Sequence, residues 1–172
     1  MAVGEEQGAI TGAAEILANG LEILRRERVG DFAGGQAAYA VWRDALLDES
    51  QFPAKAPLPL LFERLMCQID AVTMVAEGRA YAAVYLEETA RQFPGQSAPC
   101  LEAAALFRRE SELAQSMSAL TGGFQMGEQQ ARNLAKPEVR QGIASLIAES
   151  AGLDRRAADI VAEVARGLEP MR

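Results

Sequence analysis

Apolar residues recur along this chain at steps of three and four, and no segment alternates at step two, so the pattern predicts helices and no strands. Ile10, Ala14, Leu17, Leu21 and Leu24 make a first stripe, with Thr11 placed to cap it and Gly30-Asp31 to end it. A second helix follows Gly34-Gly35 and runs to Leu47, with Ala38, Val41, Trp42, Ala45 and Leu46 as its apolar positions. Pro53, Pro57 and Pro59 make residues 48–59 a loop. In residues 60–93, Leu61, Leu65, Ile69, Val72 and Ala76 form one stripe, and Ala83, Leu86 and Ala90 extend it. Gly78 interrupts that stretch and predicts two helices or one kinked helix, because an interior glycine costs roughly 1 kcal/mol against alanine.

Pro94-Gly95 stops this segment, and Ser97 is read as the N-cap of the next helix, with Pro99 in its first turn. That helix runs to Leu120 with Ala103, Leu106, Leu113, Met117 and Leu120 inward, and Thr121-Gly122-Gly123 closes it. Residues 122–136 fit either a short helix at 128–134 or a loop. Pro137 opens the last helix. Its stripe of Val139, Ile143, Leu146, Ser150, Leu153, Ala157, Ile160 and Val164 continues past Gly152 without a slip, in the manner of a short coiled-coil seam. The expected architecture is all-α, an up-and-down helical bundle of five to seven helices with a long C-terminal helix. Residues 1–9 are expected to be a flexible N-terminus, 10–168 a single helical domain and 169–172 a C-terminal tail.

Composition narrows the function classes. Aromatics are only 6% of the 172 residues against 49% hydrophobic overall, so the core must be built from Ala, Leu, Ile, Val and Met, which suits close helix packing. A net charge of −7 argues against nucleic acid and anionic membrane surfaces as partners. No run of 18 apolar residues and no signal-peptide pattern is present, and two cysteines are too few for a disulfide scaffold, so a reduced, cytoplasmic setting is expected. The chain has no histidine, which excludes Ser-His-Asp and Cys-His catalysis and Glu-x-x-His di-iron sites within it. The Gly34-Gly35 and Gly122-Gly123 pairs lack the strand and the Lys of a phosphate loop. No catalytic residue, metal ligand set or cofactor motif is expected.

A few residues remain as candidates. Asp70 lies in an apolar stretch, and Glu63, Asp70 and Glu77 are spaced by seven on one helix face. Such a face can bind a cation such as Mg²⁺ or a basic ligand. The more common arrangement is a solvated polar face with Arg64 or Arg79 as counter-charges, and Asp70 alone is the best candidate for burial against such a partner. Tyr39 and Trp42 share one helix face, and Tyr81 and Tyr85 another, which suits a pocket for an apolar or cationic ligand or, more commonly, plain core packing. Cys100, in the first turn of a helix, is a candidate reactive thiol, though a plain first-turn residue is the more common case, and Cys67, on an apolar stripe, is expected to be buried. Met66, Met74, Met117 and Met126 are scattered enough to be mostly core.

The elements Gly34-Gly35-Gln-Ala-Ala-Tyr39-Ala-Val-Trp42, Cys67-Gln-Ile-Asp70-Ala-Val-Thr-Met-Val-Ala-Glu77-Gly78-Arg79 and Tyr85-Leu86-Glu87-Glu88 resemble the helical region that follows a cysteine-peptidase-like domain in proteins similar to the butirosin biosynthesis protein H family. The resemblance covers residues 10–168. It implies that acyl-transfer or peptidase-like chemistry belongs to a preceding domain that this chain lacks, and that no catalytic residue carries over. Tyr39, Trp42, Asp70 and Arg79 would then serve the structure of the helical region or a ligand pocket. The leading expectation is a non-enzymatic helical module that binds a small molecule or partner protein through Tyr39, Trp42, Asp70, Arg79, Tyr81 and Tyr85. The alternatives are a homodimeric assembly module that pairs through the C-terminal helix, and an accessory domain of a cysteine-peptidase-like acyltransferase system.

Overall fold

A computed structural model describes the backbone of residues 2–168 and the side chains of residues 12–168. Among the described residues there are six α-helices: α1 Ala2–Arg25, α2 Gly35–Leu47, α3 Leu58–Gln92, α4 Ser97–Thr121, α5 Glu128–Leu134 and α6 Pro137–Gly167. The chain is an all-α bundle with a long C-terminal helix. None of the described helices is long and apolar enough to cross a membrane. Residue 1 and the expected tail 169–172 lie outside the described residues.

Several boundaries differ from the sequence pattern for local reasons. Helix α1 starts at Ala2, so its backbone is helical through most of the segment expected to be flexible, and Thr11 lies inside the helix instead of capping it. Helix α1 ends at Arg25, ahead of Gly30-Asp31, which has a different role. That pair forms the turn of a small antiparallel ribbon, β1 Arg28–Val29 with β2 Phe32–Ala33, and Gly30 supplies the positive φ of 60°. Two-residue strands are too short to show alternation in a sequence. Helix α3 runs unbroken through Gly78, where a Cβ would meet nothing within 4 Å, so the glycine marks neither a helix end nor a close contact. Ser97 is the first residue of α4 and makes no capping bond, because a 3₁₀ turn at Pro94–Gln96 already leads the chain into the helix. Gly122, with φ 102°, closes α4 in the left-handed conformation as expected.

Helices α3, α4 and α6 form the centre, with α1 and α2 laid on α6 and α5 closing one end against α3. Two apolar clusters fill the core. One gathers Leu17, Leu21, Ala83, Leu86, Ala103, Phe107, Ala157 and Val161, and the other gathers Leu61, Leu65, Val72, Met117, Leu134, Ile143 and Ile147. Half of the α6 stripe packs inside the bundle: Ile143, Ser150, Ala157 and Val164 are all fully buried. Its true inward row also includes Ile147, Asp154 and Val161, a rotation away from Leu146, Leu153 and Ile160, which are half-buried. The expected Val139–Val164 seam is thus split, half of it inside the bundle and half at its edge, with Val139, Leu146, Leu153 and Ile160 only half-buried. In α4 the same rotation puts Phe107 and Glu110 inside, leaves Leu106 half-buried and leaves Leu120 exposed.

Candidate functional site

The two core clusters are separated by a layer of polar side chains, with one or two contributed by each of four helices. In α3 Arg79 falls between Ala76 of one cluster and Ala83 of the other, and in α4 Glu110 falls between Ala114 and Phe107. In α6 Ser150 and Asp154 fall between Ile147 and Ala157, and α2 adds Tyr39 and Gln36. The Arg79 Nε lies 2.9 Å from Asp154 Oδ1 and 3.3 Å from Glu110 Oε2, and both carboxylates are 0% exposed. These are ion-pair contacts only, because the Nε–H is not aimed well enough at either oxygen to make a hydrogen bond. Arg79 Nη2 donates to the Tyr39 hydroxyl at 3.4 Å, and that hydroxyl donates to Glu110 Oε1. Gln36 Nε2 donates to Asp154 Oδ2 at 2.6 Å, and the guanidinium also lies 5.5 Å from the centre of the Phe107 ring. Ser111 Oγ adds a bond to the Ala76 carbonyl at 2.8 Å.

One cation thus faces two buried carboxyls. Burial is the main cause that raises Glu110 to about 7, with the Asp154 charge adding to the rise and Arg79 opposing it. Burial likewise raises Asp154, against the pull of Arg79 and of the Gln36 hydrogen bond. The two carboxyls therefore take up protons on the acid side of neutrality more readily than free carboxyls do. Arg79 stays charged: burial works against its charge, but the Tyr39 oxygen, Asp154 and Glu110 outweigh it. Burial and the Glu110 charge raise Tyr39, so its hydroxyl keeps its proton and remains a donor.

A pH dependence follows from these directions. A carboxyl whose folded pKa is raised stabilises the fold fully below its unfolded value and loses that contribution as pH rises through the folded value. Urea unfolding at a series of pH values should show stability falling between pH 5 and pH 8 by roughly 2–3 kcal/mol on this account. Glu110→Gln should flatten that fall. Asp48 and Glu87, both lowered by hydrogen bonds, act on the acid side of this window. A Glu110→Gln profile as steep as that of the unsubstituted protein would count against a raised Glu110 carboxyl.

Arg79 is also where the layer reaches the surface. Its side chain is 21% exposed and lines two adjoining clefts, which also share Ile23 and Leu24 of α1. The first, about 340 Å³, lies between α1 and α3 and is walled by Ile16, Gly20, Tyr81, Tyr85 and Phe107. The second, about 300 Å³, lies between α1, α2 and α3 and is walled by Ala38, Tyr39, Trp42, Met74 and Val75. The clefts exist because α1 packs on α6 and α2 while standing off α3. Arg79 Nη1 has no protein acceptor among the described residues and is not a fully enclosed atom, which leaves an unused donor on a side chain that lines both clefts.

Of the six residues singled out from the sequence, five therefore meet at the clefts: Tyr39, Trp42, Arg79, Tyr81 and Tyr85. Tyr39 is core, Trp42 donates from Nε1 to Gln68 at 2.8 Å, and Tyr81 is 74% exposed. Asp70 does not join them. It is exposed with Glu63 and Glu77 on the outer face of α3, which corrects the expectation of a buried Asp70. No group of three or more potential metal ligands comes together among the described residues. Cys67 is exposed, not buried as expected, whereas Cys100 in the first turn of α4 is buried and its thiol is raised by that burial, which opposes reactivity and fits the plain first-turn reading. Met66, Met74 and Met126 are exposed, and only Met117 is core. The chain matches no family model, no curated protein and no solved structure.

Proposed function

We propose that this chain is a non-enzymatic module that binds an apolar small molecule in the groove between α1 and α3. The observation that carries this reading is the meeting of two apolar clefts, about 340 and 300 Å³, over one guanidinium. A groove of this size with one fixed polar group at its floor is the usual form of a small-molecule site. Its lining contains no Ser, Thr or Cys to act as a nucleophile, which favours binding over covalent catalysis. The free Cys67 and Cys100 fit a reducing compartment such as the cytoplasm. An accessory role beside a cysteine-peptidase-like acyltransferase, as the sequence resemblance implies, is compatible with such a module.

Gly20 provides the test. It lines the first cleft, and a Cβ there would meet nothing within 4 Å. Gly20→Phe should fill the cleft and, being a helix-interior change, raise stability by about 0.5 kcal/mol. The neutral dye Nile red should bind the unsubstituted protein saturably, and Gly20→Phe should weaken it about tenfold or more, a change of about 1.4 kcal/mol. Gly78→Ala, on the exposed side of α3, should leave binding unchanged. Dye binding that is unaffected by Gly20→Phe while helicity is retained would refute the groove reading.

A further inference from the structure

We infer that the ligand of this groove is electrically neutral, with an apolar body and one hydrogen-bond acceptor, such as an ester or ketone carbonyl, that meets Arg79 Nη1. The inference rests on the groove reading above and adds the ligand's chemical class to it. An arginine on the floor of an apolar cleft ordinarily suggests a carboxylate or phosphate. Here that charge is already answered. Glu110 and Asp154 lie within 3.3 Å of the same guanidinium on its inner side, and both are fully buried. An incoming anion would gain the attraction of one cation and meet the repulsion of two carboxyls a few ångströms behind it, in surroundings where such repulsion is weakly screened. An incoming cation would meet the guanidinium first. The carboxylate oxygens left without hydrogen bonds, Glu110 Oε2 and Asp154 Oδ1, are enclosed and cannot reach across to compensate it.

The other polar groups at the floor are taken. The Tyr39 hydroxyl donates to Glu110 and Trp42 Nε1 to Gln68. What remains at the floor is the donor Nη1, among aliphatic and aromatic walls whose only other polar groups are the Tyr81 and Tyr85 hydroxyls at the side of the first cleft. A neutral acceptor matches it without disturbing the charge balance of the layer, and a pure hydrocarbon would leave it unpaired.

Displacement of bound Nile red by three probes of equal chain length tests this at pH 7.5, below their micellar concentrations. The probes are methyl decanoate, decanoate and decylammonium. Methyl decanoate should displace the dye at a concentration about tenfold lower than either charged probe. In Glu110→Gln, which removes one carboxylate behind Arg79, decanoate should gain most of that factor while the ester changes little. Equal or tighter displacement by decanoate in the unsubstituted protein would overturn the inference, as would decylammonium binding best. Nile red binding with no displacement by the ester would overturn the ligand class and leave the groove standing. A protein that fails to bind Nile red at all would remove the groove and the inference together.

Discussion

Replacing Arg79 by methionine is expected to lower the unfolding free energy by about 3–5 kcal/mol at pH 7.5, the cost typical of stranding buried charges by removing their partner. Methionine keeps much of the volume, so the loss is electrostatic. Glu110 and Asp154 would face each other in a 0% exposed site without the cation that now lies 2.9–3.3 Å from them. The Tyr39 hydroxyl would lose its donor, though it keeps its bond to Glu110. Arg79 opposes the rise of both carboxyls, so its removal raises them further and the variant takes up protons more readily. The loss should therefore shrink as pH falls and protonation neutralises the stranded carboxyls. Urea unfolding at pH 5.0, 6.0 and 7.5 measures this directly. Arg79→Lys should fall between the two, since it keeps the charge but not the flat guanidinium beside Phe107. Adding Glu110→Gln and Asp154→Asn to Arg79→Met should recover most of the stability by removing the stranded charges. A loss for Arg79→Met that is the same at all three pH values would show that its role is packing alone.

How far the sequence discloses this layer depends on which cue is followed. Asp70 stands out because its neighbours Ile69, Ala71 and Val72 are apolar, yet its helical phase groups it with Glu63 and Glu77 on the exposed face. Glu110 is hidden by the opposite effect. It sits among Arg108, Arg109 and Glu112 and reads as surface, but the row Ala103, Phe107, Glu110, Ala114 and Met117 has steps of four, three, four and three. Asp154 falls likewise on the row Ile143, Ile147, Ser150, Asp154 and Ala157. A charge on an apolar row is the signal for a buried partner, whereas a charge among apolar sequence neighbours is not. The helices themselves were legible because their periods are long and their stops, Gly122 and Pro137, are strong. The clefts were not, because they arise from α1 standing away from α3, and that spacing is set by packing on α6 and α2 rather than by any local pattern.

Arg140 sharpens the contrast between a buried cation that is needed for its charge and one that is needed for its bulk. It is 1% exposed in the first turns of α6, with its guanidinium 4.4 Å from the centre of the Phe52 ring. It donates to the Ala135 carbonyl at the end of α5 and to Glu49 in the 3₁₀ turn after α2. That one side chain therefore joins α6, α5 and the segment between α2 and α3. Its acid partner Glu49 is 71% exposed, so deleting the arginine returns that carboxylate to water and strands no charge. Arg140→Ala should still cost about 3–5 kcal/mol, because it opens a cavity under Phe52 and leaves a carbonyl short of a donor. Arg140→Met should recover at least half of that loss by refilling the space, since burying the guanidinium itself carried a desolvation cost. Arg79→Met, at a site with two enclosed carboxylates, should show no such recovery relative to Arg79→Ala at pH 7.5. Thermal or urea unfolding of the four variants side by side makes the comparison. If methionine rescues alanine equally well at both positions, the two arginines act alike and the charge balance assigned to the layer around Arg79 is wrong.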